Sequence, residues 1–199
     1  MKAARIAVIW AGALGAIGVL TGCVTYPRTV ERSENPRPAW TTEVPKNDDF
    51  VYFAAPSSDA RRQEDGQTDA FMQAVQAATA SVNAQVLVIY ERARSQLGTD
   101  DSKYGNAVKS GLYLRAAATI NGARTEKLYW EKIENKDGAG EIFVRYNTWA
   151  LISIPKEDLR KSLVDELKKI APKVTPGDQD ALDFLNKLED TYKETAFPQ

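Results

Sequence analysis

Phe71, Val75, Ala78, Val82, Val86, Ile89, Ala93 and Leu97 follow one another in steps of three and four. That spacing constrains the fold more than any other feature of the chain. Residues so placed lie along one stripe of an α-helix, and an apolar stripe must be covered. Ala70, Ala74, Ala77, Ala80 and Ala84 keep the body of the helix thin, which suits close packing on a sheet. Asp65 or Thr68 can cap its start and Gly98 can end it. A partner's groove could cover the stripe, but a core of the chain's own is the simpler expectation.

The sheet has three candidate strands. Asp49-Phe-Val-Tyr-Phe-Ala-Ala55 is aromatic and β-branched and is closed by Pro56. Thr125 to Ile133 alternates, with Leu128 and Trp130 on one face and Tyr129 and Ile133 on the other. Ile142 to Ile154 sets Phe143, Trp149 and Leu151 against Val144, Tyr146, Ile152 and Ile154. The turn-rich Asn135 to Gly140 joins these last two runs as an antiparallel hairpin. Ser57 to Gly66 is polar and reads as a loop or a frayed helical start, and Thr99 to Lys109 reads as a loop. Gly111 to Ile120 lies between strand and helix in character and reads as a short helix.

Pro155 opens a helix carrying Leu159, Leu163, Leu167 and Ile170 on one face. Asp158 in its first turn and Lys168-Lys169 in its last suit the helix dipole. After the break from Pro172 to Gly177, Asp178 can cap a final helix bearing Leu182, Leu185, Leu188 and Tyr192. The expected fold class is α+β, in the order β-α-(α)-β-β-α. A small antiparallel sheet packs on one long helix, with a C-terminal helix added.

The amino terminus is of another kind. Lys2 and Arg5 precede an uncharged, mostly apolar run from Ile6 to Leu20, the pattern of a secretory signal. Leu20-Thr21-Gly22-Cys23 resembles the lipobox of bacterial lipoproteins, and Cys23 is the one cysteine in the chain. The resemblance implies cleavage before Cys23 and covalent lipid on its thiol and new amino group. Two or three acyl chains anchor a protein stably where one does not. The alternative is an uncleaved anchor, since Ile6 to Tyr26 lacks charge for about the length of a spanning helix. The expected divisions are signal 1–22, a proline-containing tether 23–39, an α+β domain 40–171 and a helical extension 172–199. As a tether, residues 24–39 would reach about 50 Å extended or about 20–25 Å as a flexible coil.

Composition then removes several chemistries. The chain has no histidine, which takes away Ser–His and Cys–His catalysis and histidine-containing zinc sites. A lipid-committed Cys23 removes thiol catalysis. Without Lys2 and Arg5 the basic side chains fall from 26 to 24 against 27 acidic. That balance gives no reason to expect nucleic-acid binding. Ser153-Ile-Pro-Lys156 has the Ser-x-x-Lys spacing of penicillin-binding proteins, but their other two signature strings do not occur here. Asp100-Asp101 and Glu189-Asp190 are adjacent acids, while Asp48-Asp49, Asp178 and Asp180 offer oxygen without EF-hand spacing. No metal site and no cofactor beyond the Cys23 lipid are expected. Trp40, Tyr52, Tyr129, Trp130, Tyr146 and Trp149 remain as a possible binding face, with core or tether contact as their plainer role.

Two stretches carry a further resemblance. Pro38-Ala-Trp40, the Phe50–Ala55 strand and the alanine-spaced helix resemble the LPP-twenty lipoprotein family. Phe143 to Asp158 is similar to that family's last strand running into a Pro-Lys-Glu helix. The same order resembles the amino-terminal domain of flagellar assembly protein T. The resemblance spans about residues 38–171 and departs from the family at Arg61–Gly66 and after Pro176. It implies a small α+β domain on an envelope lipoprotein, with no catalytic residues to carry over. The expected role is a lipid-anchored binding, structural or assembly factor facing the periplasm, with an envelope protein as partner. Val24 in place of an aspartate after the cysteine favours the outer membrane over the inner. The alternative role is a carboxylate-dependent hydrolase of envelope glycans.

Overall fold

The computed structural model describes residues 25–97, 105–170 and 179–194. The fold is α+β. Its strands are β1 (Arg28–Arg32), β2 (Phe50–Ala60), β3 (Arg124–Lys136) and β4 (Ile142–Pro155). They form one antiparallel sheet in the order β1-β3-β4-β2. Its helices are α1 (Gln63–Leu97), α2 (Gly105–Ile120), α3 (Lys156–Ile170) and α4 (Gln179–Glu194).

One face of β2 and β4 meets α1. Val51 lies opposite Ile154, Phe53 opposite Ile152 and Ala55 opposite Ala150, and these inward side chains join the main core. The stripe on α1 behaves as its spacing predicts: Val75, Ala78, Val82, Val86, Ile89 and Ala93 are buried, and Phe71 packs against them. Ala70, Ala74 and Ala78 have no exposed surface, so the helix backbone comes close to the strands. At Gly66 the approach is closest. A Cβ there would lie 3.0 Å from Ala60 and from Thr148, tighter than a packed core tolerates without strain.

Farther along, α1 leaves the sheet and enters a helical layer. Val108, Leu112, Ala116 and Ile120 of α2, Leu159, Leu163 and Leu167 of α3, and Leu185, Leu188 and Tyr192 of α4 close around it. Tyr90 of α1 meets Phe184 of α4 edge to face, with ring centroids 5.2 Å apart.

Four boundaries differ from the sequence reading. The segment expected as a tether is folded over its described residues, 25–39. β1 pairs with the outer edge of β3, Arg28 opposite Glu134 and Arg32 opposite Glu131, and Ala39–Thr41 forms a turn of 3-10 helix that buries Trp40. Its arginines match acids on β3, so a polar composition hid a docked strand. The segment expected as a C-terminal extension supplies part of the core through α4. Ser57–Gly66 is not a loop: β2 continues to Ala60, and the helical start is that of α1 at Gln63. A bulge absorbs the polar residues, with Asp59 at φ 63°, its N–H donated to Asn147 and its carboxylate 3.2 Å from Arg145. Thr99–Lys109 is helical from Gly105 onward.

Candidate functional site

The sheet's other face carries a polar centre beneath the amino-terminal segment. Strand alternation turns Tyr129 and Glu131 of β3 away from α1, together with Trp149 and Leu151 of β4 and Tyr52 and Ala54 of β2. Trp40 closes over Tyr129 and Leu151, and all three are buried. Residues 33–41 therefore act as a strap across the strands.

Glu131 is the only acid among the buried described residues, with 3% of its surface exposed. Arg37 of the strap grips it with two bonds, Nη2 to Oε2 at 2.7 Å and Nε to Oε1 at 3.1 Å. The Tyr129 hydroxyl donates to Oε1 at 2.8 Å, and Arg32 Nε of β1 stands 3.6 Å from the same oxygen. The Arg37 guanidinium also lies 4.6 Å from the centre of the Trp149 ring, within cation–π range. The Trp149 ring in turn sits 5.4 Å from Tyr129.

Burial by itself would raise the Glu131 pKa. The hydrogen bonds from Arg37 and Tyr129, with the charges of Arg37 and Arg32, outweigh it and hold the carboxyl below its ordinary range. Burial, and then the bond to Glu131, raises the Tyr129 phenol. The bond to Glu131 raises Arg37. The centre is a carboxylate kept ionised by two arginines and a neutral phenol. Both of its oxygens are occupied by the protein, which makes it a latch.

The six aromatic candidates do not share a face. Trp40, Tyr52, Tyr129 and Trp149 lie with the strap, two of them fully covered. Trp130 and Tyr146 lie on the opposite face, half-buried against each other with centroids 6.2 Å apart. The period of two in a strand requires this split, since Tyr129 and Trp130 are neighbours. Ser153 is buried and donates to the Glu126 carboxylate, while Lys156 Nζ donates to the Asn47 carbonyl at 3.0 Å. The Ser-x-x-Lys pair is thus turned apart.

Of the acidic pairs, Asp100-Asp101 lies outside the described residues, as do Asp178 and Cys23. Glu189 of α4 stands 3.9 Å from Lys168 of α3. Asp48 and Asp49 border a cleft of about 240 Å³ with Phe50, Pro155 and the first turn of α3. Glu157 on its rim is bound to Arg160 at 2.9 Å. No group of three or more histidine, cysteine or acidic side chains able to hold a metal occurs among the described residues, and no described helix is long and apolar enough to cross a membrane.

Sequence reasoning passed over Glu131, Arg37 and Arg32. One signal was present: Glu131 falls in phase between the apolar neighbours Tyr129 and Ile133. A charge in that register calls for a partner. Comparison with protein-family models, with curated proteins and with solved structures gave no match.

Proposed function

We propose that the chain is a lipid-anchored cell-envelope protein, held at the outer membrane and facing the periplasm, that acts by binding other envelope components rather than by catalysis. The observation that carries the reading is Leu20-Thr21-Gly22-Cys23 at the end of an uncharged run that follows two basic residues. The resemblance to the LPP-twenty lipoproteins supports the same reading. So do a chain without histidine and a buried carboxylate whose two oxygens are spent on the protein itself. No cofactor enters the proposal apart from the lipid on Cys23.

Expression of the full chain in a bacterium with a lipoprotein pathway tests the anchor. The mature product is expected to start at Cys23, with a mass raised by its acyl groups. Cys23→Ala is expected to accumulate as uncleaved precursor. An unchanged mature mass in that variant, still partitioning into detergent, overturns the anchor. Crosslinking in intact cells tests the binding role. Turnover of an envelope glycan by the purified protein, lost in Asp49→Asn, would overturn it in favour of a hydrolase using the cleft beside α3.

A further inference from the structure

The topology brings the start of the folded chain to one particular end of the sheet. Arg28 lies opposite Glu134, two residues before β3 reaches its hairpin turn, and Lys136 lies opposite Ile142 on the returning strand. With strands about 4.8 Å apart and about 3.3 Å per residue, Arg28 and Ile142 are about 12 Å apart. Cys23 precedes Arg28 by five residues, a span of at most about 18 Å. A lipid on Cys23 therefore keeps the β3–β4 turn beside the bilayer. This step rests on the lipoprotein reading above.

The turn itself has two features suited to that position. Its apolar groups face out: Ile142 is 57% exposed and Val30, on the neighbouring β1, is 40% exposed. Its apex is Gly138-Ala139-Gly140, where Gly138 has no heavy atom within reach of an added Cβ. Three of its backbone donors are also satisfied from within. Asp137 accepts the N–H groups of Ala139 and Glu141 through its side chain, each at 2.9 Å, and that of Gly140 through its carbonyl at 3.1 Å. A backbone with these donors already paired enters a low-dielectric interface at less cost than one with them free. Asp137 spends its Oδ1 on two of those bonds, while Glu141, the other acid of the turn, is exposed.

We infer that the β3–β4 turn, with Ala139 at its apex and Ile142 on its flank, is a second membrane contact that inserts into the headgroup region beside the lipidated Cys23. The occupant is the lipid surface. The two contacts together fix the orientation of the domain, which a lipid on a flexible connection does not.

The test uses the full mature protein, acylated at Cys23, in vesicles of phosphatidylethanolamine and phosphatidylglycerol. The acylated thiol leaves Ala139→Cys as the one labelling site for an environment-sensitive fluorophore. Leu114→Cys, on a side chain of α2 that is 74% exposed, serves as the control. A quencher carried on the lipids is expected to dim the label at 139 several-fold more than the label at 114. Ile142→Asp is expected to narrow that difference while leaving the acyl mass unchanged. Equal quenching at 139 and 114 on protein of the acylated mass overturns the turn contact and leaves the anchor standing. A product without acyl mass overturns both.

Discussion

Glu131 shows how one residue decides where a segment goes. A carboxylate at 3% exposure is costly unless its charge is met, and removing one partner of a buried ion pair costs more than the pair itself contributes. The partner here comes from outside the sheet, so the requirement of Glu131 is what seats the strap. Arg37→Ala is expected to destabilise the protein by about 2 kcal/mol, on the scale of hydrogen bonds to charged groups. Arg32 at 3.6 Å supplies part of the loss. The pH dependence follows from the direction of the shift. A carboxyl whose folded pKa lies below its unfolded value of about 4.3 stabilises the fold above that value. Its contribution disappears as pH falls through the folded pKa. Glu131→Gln is therefore expected to be less stable than the parent at pH 7 by about 1–2 kcal/mol, with the gap closing below about pH 4. Urea titrations followed by tryptophan fluorescence measure this directly, because Trp149 stacks on Arg37. A gap independent of pH would show that Glu131 acts through shape alone.

At the scale of elements, legibility tracked how each element is held. α1, α3 and α4 announce themselves because their apolar residues recur at helical spacing, and every described position of those stripes is buried or packed against the core. The hairpin is legible for the same reason, its faces alternating as the sequence reading assigned them. β1 was not legible. Arg-Thr-Val-Glu-Arg has no buried residue and is held by main-chain pairing and by charges on a strand about a hundred residues away. Local pattern carries no trace of such a partner. The centre around Glu131 was hidden likewise, since two of its arginines come from a stretch whose prolines suggested a tether. α4 was legible as a helix but its place was not, because an amphipathic stripe does not name what covers it. Phe184, Leu185, Leu188 and Tyr192 are at most 5% exposed, and Phe184 packs edge to face on Tyr90. A chain ending at Ile170 would expose that surface, at about 1.5–3 kcal/mol for each large side chain left uncovered. Such a chain is expected to bind a hydrophobic dye and to lose its cooperative thermal transition. A transition within a few degrees of the parent's would return α4 to the status of an appendage.

On the scale of the whole molecule, the two ends do different things. The 35 residues of α1 rise about 52 Å along the helix axis. The first turns lie against the sheet at Thr148, and the last described turns lie among α2, α3 and α4. The start of β1 and the β3–β4 turn share the sheet's far end. On the lipoprotein reading, the helical layer is carried away from the bilayer by a packed helix, and the pairing of β1 from Arg28 onward leaves five residue steps to Cys23. Connection length then becomes a test of the whole arrangement. Inserting about twelve Gly and Ser residues between Val24 and Thr25 lengthens the path from Cys23 to Arg28 from five steps to about seventeen. With effective concentration falling as the −3/2 power of length, the turn is diluted at the membrane about sixfold. Stability is expected to stay within about 0.5 kcal/mol of the parent, as for substitutions away from packed features, because the first strand pair forms at Arg28. Quenching of a label at position 139 by lipid-borne quencher is expected to fall toward that at position 114. A large loss of stability would place the residues before Arg28 within the fold. Unchanged quenching would mean that the turn holds the membrane by its own affinity and that the short connection plays no part in orienting the domain.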